Sequence, residues 1–442
     1  MNLKKIWDKY KSSQIEYDGF IFNSLGGLLN AFQSVFVLMV LSRVMPTLDG
    51  AGVFIFAYSV ANLMLNIGKY GMRNFQVTDV KEKYAYSTYF KSRVLTTAVM
   101  VVASAVYVAV RNGIEGYTVE KVWIIIFMCL FKAVDSLEDI YFGRYQQVGR
   151  LDIAGKCLTV HMFLVVLSYV VCLAVGLDLL VSTILTTVVS TLVTFMLILP
   201  TRKIVEPDWN RNAKQRTKEK VWPLLWENTG LAIAAFVSFY QINCPKYAID
   251  SIMTDVDQAN FGFISMPVFF ASLICQFLYL PMLTGMAAKF QMNDYSGLKQ
   301  MIVKVSVLIA GACVFIIAGS VIAGIPVLSI LYAADLKPLA VEFYLLMAGS
   351  GFLAFAAFLG SVLTTIRKQR HMLIGYVVTA IPEFIAVDYF VDRWGLKGAS
   401  LVFTIAMFLL MLYMSAALVF EMTQLKKAMN ATDKSREGAV NS

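Results

Sequence analysis

ASLVFTIAMFLLMLYMSAALVF, residues 399–420, holds 22 consecutive positions without one charged side chain. An α-helix needs about 20 apolar residues to cross the roughly 30 Å hydrocarbon core of a bilayer. The stretch has that length and reads as a membrane-spanning helix. Working outward, eleven further runs meet or approach it. In the first half these are Phe20–Leu41, Gly52–Gly68, Val94–Val110, Val122–Phe142, Leu158–Gly176 and Leu179–Pro200. In the second half they are Val221–Gln241, Phe261–Leu283, Ile302–Gly324, Ala340–Leu363 and Met372–Val391. The sequence therefore predicts an all-α polytopic membrane protein of about twelve transmembrane helices.

Composition agrees. The chain has 442 residues, 58% of them hydrophobic and 15% charged, against about 25% charged in a soluble domain. Length alone would allow two or three soluble domains, but this much apolar surface calls for lipid as its solvent. Lys4, Lys5, Lys9 and Lys11 precede the first run, which is too long for a signal-peptide core and lacks a small-residue cleavage pattern. It reads as the first membrane helix.

Lysine and arginine placement sets the expected orientation. With a cytoplasmic amino terminus, the inside segments hold 30 basic residues and the outside segments seven, Arg43, Arg111, Lys121, Lys246, Lys337, Arg393 and Lys397. Such an excess marks the cytoplasmic side. The most polar stretch, Thr201–Lys220, lies midway. It divides the chain into an amino-terminal lobe (1–200), a basic cytoplasmic linker (201–220), a carboxy-terminal lobe (221–421) and a cytoplasmic tail (422–442), with six helices in each lobe. Equal halves around a linker suggest a two-lobed transporter.

The formal charge of +9 lies between apolar runs. That pattern faces an anionic leaflet and excludes a nucleic-acid-binding face. The cysteines (Cys129, Cys157, Cys172, Cys244, Cys275 and Cys313) form no CxxC pair, so neither zinc nor a disulfide framework is indicated. Gly-rich phosphate loops, HExxH and GxSxG are absent from the sequence. Both histidines, His161 and His371, fall near expected cytoplasmic ends. The outer loops are expected to be short, the longest being 243–260 and 325–339, which leaves little room for an external catalytic domain. No cofactor is indicated.

Polar groups inside a bilayer are costly and mark functional candidates. Asn62, Asn66, Lys69 and Arg73 recur at spacings that share one helical face. They read either as a phosphate-binding stripe or as a helix end obeying the positive-inside rule. Asn23, Asn30 and Gln33, with Gly26 and Gly27 between, read either as packing contacts or, for Asn30, as a substrate contact. Lys132, Asp135, Glu138 and Asp139 fall on one helix, where Lys132 and Asp135 can pair at i, i+3 and Lys132 and Asp139 share a face two turns apart. Lys132, Asp135 and Asp139 are candidates for ion coupling, with a neutralised packing network as the alternative. Glu383 follows Pro382, which frees a backbone carbonyl; this carboxyl is either a protonation site or a neutral hydrogen-bonded acid.

Several segments carry a family resemblance. Tyr240-Gln-Ile-Asn-Cys-Pro-Lys-Tyr-Ala-Ile-Asp250 resembles the N-x-P-[KR]-Y-x-I segment of bacterial polysaccharide and O-antigen repeat-unit flippases. These belong to the multidrug/oligosaccharidyl-lipid/polysaccharide flippase superfamily. Gly71-Met-Arg-Asn-Phe-Gln76, Gln146-Gln-Val-Gly-Arg-Leu-Asp152 and Phe261-Gly-Phe-Ile-Ser-Met-Pro267 resemble the same family. Tyr332-Ala-Ala-Asp335 departs from it, lacking the glycine of a Leu-Tyr-Gly turn. The resemblance implies two six-helix lobes around a central cavity and alternating access. Its implied substrate is a polyprenyl-diphosphate-linked oligosaccharide, moved between leaflets of the bacterial cytoplasmic membrane under an ion or proton gradient. Membrane lipids, a polysaccharide polymerase and glycosyltransferases are the implied partners. A multidrug exporter of the same superfamily and a membrane-embedded glycosyl- or acyltransferase are the alternatives.

The charge distribution yields a test of topology. Cysteines introduced at Asn210 and Asn430 are expected to resist an impermeant thiol reagent in intact cells and to react after permeabilisation. Labelling of either from outside would reverse the assignment.

Overall fold

The computed structural model describes residues 3–79, 82–205 and 220–440, with side chains described for 14–79, 82–205 and 220–427. Most of the basic linker, 206–219, lies outside the described residues. In hydrocarbon every backbone amide must be satisfied internally, and the helix does this within one segment. Accordingly, the described residues are helices and short turns, with no strand among them.

The helices are α1 (Leu3–Val44), α2 (Asp49–Lys69), the short α3 (Met72–Thr78), α4 (Tyr86–Glu115), α5 (Val119–Gln147), α6 (Leu151–Ala174), α7 (Leu179–Val205) and α8 (Val221–Ile252). They continue as α9 (Asp255–Gln291), α10 (Tyr295–Gly319), α11 (Ile325–Tyr332), α12 (Ala340–Thr365) and α13 (Arg370–Val440). A π turn at Ser320–Gly324 joins α10 to α11.

Nine of these stretches are long and apolar enough to cross a bilayer by length and composition. Two more helices, α5 and α8, have comparable length at 29 and 32 residues but carry polar and charged side chains. A further stretch comes from α13, whose 71 residues are interrupted at Gly395 (φ 57°, ψ −137°). His371 Nε2 lies 2.9 Å from Glu421 Oε1. A straight helix would hold residues fifty apart about 75 Å from each other. The chain therefore doubles back at Gly395, and the described residues hold twelve long helical stretches.

The chain divides into two compact units, Met1–Phe239 and Tyr240–Ser442. The break falls inside α8, so residues 221–239 belong with the first unit.

In unit 1, α1 lies along α6 on a seam of small residues. A Cβ on Gly155 would meet the Asn23 backbone nitrogen at 2.5 Å, and one on Gly26 would meet the Thr159 nitrogen at 3.0 Å. Thr159 Oγ1 donates to the Phe22 carbonyl at 2.8 Å, and Lys156 pairs with Asp18 at 2.6 Å. Without a hydrophobic force between helices in lipid, such close backbone approach supplies the association energy. The expectation that Gly26 serves packing agrees with this contact, whereas Gly27 has open space around it.

Unit 2 interlocks aromatic rings with small residues. Phe263 stacks on Tyr332 at 4.3 Å between centroids, and Gly349 leaves room for the Phe403 ring. Ala333, where the resemblance led to an expected glycine, adopts φ 49°, ψ 38°. The position is left-handed, so its residue pays the steric cost of a Cβ there.

The two expected outer loops are mostly helical. Segment 243–260 is interrupted only at 253–254, because Thr254 and Asp257 form a reciprocal capping box that starts α9 at once. Segment 325–339 contains α11, with Pro326 tolerated in its first turn.

Gly155→Ala is expected to destabilise the protein by about 1–3 kcal/mol through forced separation of α1 and α6. Gly27→Ala should be neutral. Thermal unfolding of the two purified variants in one detergent distinguishes them, and equal midpoints would refute the seam.

Candidate functional site

The polar centre of unit 1 is built around α5. Lys132, Asp135, Glu138 and Asp139 are all buried there, between 1% and 9% exposed. Isolated charges at such depth would be prohibitive, so each must find a partner.

The partners come mostly from other helices, and they divide the row into three groups. Lys132 Nζ donates to Asp135 Oδ2 at 2.8 Å and to Gln33 Oε1 of α1 at 3.2 Å. The same ammonium lies over the Tyr58 and Phe131 rings. Asp139 joins two arginines. Its Oδ2 accepts from Arg93 of α4 at 2.9 Å, and its Oδ1 from Arg73 of α3 at 3.3 Å. Glu138 instead meets His161 of α6, Oε2 to Nδ1, at 2.6 Å, and His161 Nε2 lies 2.9 Å from Ser190 of α7. Lys132 thus pairs with Asp135, the partner its i, i+3 spacing offered, while Asp139, two turns on along the same face, belongs to a separate group.

Arg93 is fully buried. One nitrogen holds Asp139, and another donates to the Gly68 carbonyl at 3.0 Å, which Thr96 also caps at 2.8 Å. Gly68 is near the end of α2, where the helix ladder leaves carbonyls unpaired. Arg93 therefore ties the α2 terminus to α5.

The stripe Asn62, Asn66, Lys69 and Arg73 does not lie on one helix. α2 ends at Lys69, because Tyr70 (φ 49°) and Gly71 (φ 63°) turn left-handed. Gly71 suits that conformation, and a Cβ there would meet Leu231 at 2.9 Å. Arg73 starts anew on α3, where it reaches Asp139 and, at 3.1 Å, Gln146. Lys69 lies within electrostatic reach of the same carboxylate. The two asparagines are half-buried, and each donates to a carbonyl one turn back, Tyr58 and Asn62. Asn30 is exposed on α1 and joins none of these groups.

Close packing fixes α3. Gln76 is buried beside Gly143 of α5, where a Cβ would collide with its amide oxygen. Asp79 closes the following loop by accepting from the Lys83 and Tyr84 amides and the Tyr89 hydroxyl, at 2.8, 3.1 and 2.9 Å.

Among the described residues unit 2 buries two acids, Glu421, which meets Lys368 and His371, and Glu383, 3% exposed. Neither oxygen of Glu383 completes a hydrogen bond among the described residues. Gln241 lies beside it and donates to Thr379 at 3.0 Å.

Arg93 and His161 were not among the expected site residues. The apolar run that marks α4 begins at Val94, which left Arg93 in a loop. The readable signal was the polar stripe Thr88, Ser92, Arg93, Thr96, Thr97, all buried. A similar stripe on α7, Ser182, Thr183, Thr186, Thr187, Ser190, marks the face that meets His161. Among the described residues no metal-binding cluster of His, Cys, Asp or Glu occurs.

No family model matches the sequence, and no curated protein matches it. Solved structures do. Lipid II flippase MurJ in an inward closed conformation superposes with a TM-score of 0.68 at 12% identity, over 92% of this chain and 90% of that one. The chain has the fold of such transporters. An inward-facing multidrug resistance MATE family transporter of the MOP superfamily gives 0.63 at 13% identity, covering 91% and 96%. A MOP superfamily transporter from Pyrococcus furiosus, described as having a binding pocket of reverse polarity, gives 0.60 at 10% identity, covering 94% and 97%.

Asp139→Ala would leave Arg93 buried without its carboxylate, and a broken buried pair costs about 3–5 kcal/mol. Arg93→Met should cost a similar amount, and the double variant less than the sum. Unfolding midpoints of the three variants form the cycle. Simple additivity would mean that the two residues do not depend on each other.

Proposed function

We propose that this protein is a transporter that moves polyprenyl-diphosphate-linked oligosaccharides from the inner to the outer leaflet of a bacterial cytoplasmic membrane. The observation that carries the reading is an excess of fixed positive charge in unit 1. Lys69, Arg73 and Arg93 gather around one carboxylate, Asp139. Two positive charges remain over, in a region where unpaired charge is costly. An anionic group bound there would settle that imbalance.

A diphosphate has the matching charge and acceptor oxygens. Arginine offers phosphate a planar fork and lysine a mobile point charge. Arg73 and Lys69 are half-buried and so reachable, whereas Arg93 is sealed and serves as scaffold. Asn62 and Asn66 continue the α2 face more deeply and would meet phosphate or sugar hydroxyls. The prenyl chain stays in lipid, so only the polar head needs a path.

Alternating access is the proposed mechanism, and an ion or proton gradient resets it. Glu383 is the coupling residue proposed for unit 2, because a buried carboxyl without a cation partner is driven to take up a proton or an ion. A polymerase and glycosyltransferases of surface polysaccharide synthesis are the proposed partners. The likeness to a lipid II flippase supports a lipid-linked substrate. The likeness to multidrug transporters supports export of a free small molecule instead, but cationic drugs call for an acidic cavity, and the half-buried groups here are basic.

Lys69→Gln combined with Arg73→Gln tests the reading. Arg93 still holds Asp139 in that variant, so folding and topology should survive. Loss of one charge-assisted bond costs about 1.5–3 kcal/mol, or roughly ten- to a hundredfold in binding. Lipid-linked units should accumulate on the inner leaflet. Normal surface polysaccharide in the double variant would show that these residues are not the substrate site.

A further inference from the structure

We propose that Glu138 and His161, with Ser190, form the exchangeable-proton site of unit 1, and that this site couples a proton to the transport step. The coupling rests on the transport reading above; the proton site itself does not.

The assignment follows from the chemistry of the partners. α5 buries three carboxylates. Asp139 is held by Arg73 and Arg93, and guanidinium does not deprotonate in a protein. Asp135 is held by Lys132, whose ammonium is also seated over two aromatic rings. Both pairs are fixed. The charged partner of Glu138 is a histidine, the side chain whose unperturbed charge change falls between about pH 5 and 8. Of the three, only this pair contains a partner whose ordinary charge change falls within that range.

Local geometry suits exchange. Glu138 and His161 are 2% and 0% exposed, so the proton they share is kept from bulk water. Glu138 Oε2 meets the imidazole at 2.6 Å, while Oε1 is buried with no hydrogen-bond partner among the described residues. That second oxygen is open to a further proton. On the other side of the ring Ser190 Oγ lies 2.9 Å from Nε2. A hydroxyl can donate to a neutral ring or accept from a charged one, so it accommodates both states without moving.

Serine, histidine and glutamate in this order also resemble the relay of a hydrolase. Ser190 is fully buried, however, and no acyl substrate could reach it. Proton exchange needs no such access.

The surroundings transmit the change. The charged and titratable groups facing the pair are Lys132, Asp135 and Asp139 on α5 and Cys157 on α6, with polar Ser190 on α7. Arg93 from α4, Arg73 from α3 and Lys69 from α2 face it through Asp139. Asp139 is the next residue after Glu138 and anchors Arg73. A proton gained at the pair therefore changes the field at the carboxylate that competes with phosphate for Arg73. By linkage, anion binding must bias proton occupancy in return.

The chain has two histidines, His161 and His371, which makes the test direct. Full-length protein with isotope-labelled histidine is placed in lipid nanodiscs and followed by NMR across pH, with His371→Gln assigning the signals. The His161 ring should change protonation state reversibly. In Glu138→Gln its midpoint should move by at least about tenfold in proton concentration, while Glu383→Gln leaves it in place. A His161 signal fixed in one state throughout, or indifferent to Glu138→Gln, overturns the proton site. His161→Gln, inserted at normal levels, should move lipid-linked units with a pH profile shifted from that of the parent protein. An unchanged pH profile there removes the coupling role. In the Lys69→Gln plus Arg73→Gln variant the His161 ring should still titrate, so loss of transport in that variant bears on the anion site alone.

Discussion

A carboxylate inside a lipid-embedded bundle must be given a cation or a proton, and α5 makes that demand three times within two turns. The rest of unit 1 is arranged around the answers. Asp139 recruits Arg93 from α4 and Arg73 from α3, Glu138 recruits His161 from α6, and Asp135 takes Lys132 from its own helix, with α1 adding Gln33. Four helices and the short α3 are thereby fixed to one another by directional bonds. Lipid offers no hydrophobic force to do this, and a wrong register would leave a charge buried alone. The charged row therefore specifies the packing as well as preparing the site.

The break after α2 serves the same constraint. A continuous helix would carry Arg73 along the line of Asn62, Asn66 and Lys69. The left-handed pair Tyr70 and Gly71 redirects the chain, so that Arg73 meets Asp139 and Gln146 on α5. Arg93 closes the arrangement by taking the Gly68 carbonyl, one of the groups the helix end leaves open. Backbone termination and charge placement are thus solved by the same guanidinium. A gathering of cations results that no single helix could present.

The helical passes were legible because hydropathy is a local property: a run of apolar residues announces itself without reference to any other. Even α13, a single helical stretch by hydrogen bonding, was separable in sequence into 372–391 and 399–420 because Asp392, Arg393 and Lys397 interrupt the apolar runs. Loop extents were less legible, since a capping box at Thr254 restarts helix at once through the polar sequence that follows α8. The site was legible mainly by residue type. The sequence marks Lys132, Asp135, Asp139, Lys69 and Arg73 as unusual at their depth. Spacing along α5 offered Asp135 as the i, i+3 partner of Lys132, and the structure pairs them. That spacing could not name the partners of Asp139 and Glu138, because these lie on other helices. His161 was overlooked because its depth depends on α6 starting seven residues before its apolar run.

Unit 1 consequently carries two kinds of buried charge with different uses. The pairs made with Arg73, Arg93 and Lys132 fasten α5 to its neighbours and act as scaffold. A pair made with histidine can change charge without unfolding anything, because its hydrogen bonds to Glu138 and Ser190 survive either protonation state. Placing the labile pair one residue along the chain from the fixed one means that the smallest available chemical event, gain of a proton, acts on the strongest local field, that of Asp139 and its arginines. On the proposed reading this arrangement serves coupling: the substrate's charge and the driving ion would be felt by the same carboxylate, yet occupy different atoms. Were both to act on Asp139 directly, each would displace the other's anchor and the scaffold with it. Separation onto adjacent residues lets linkage occur through the field while the packing of α3, α4 and α5 stays intact.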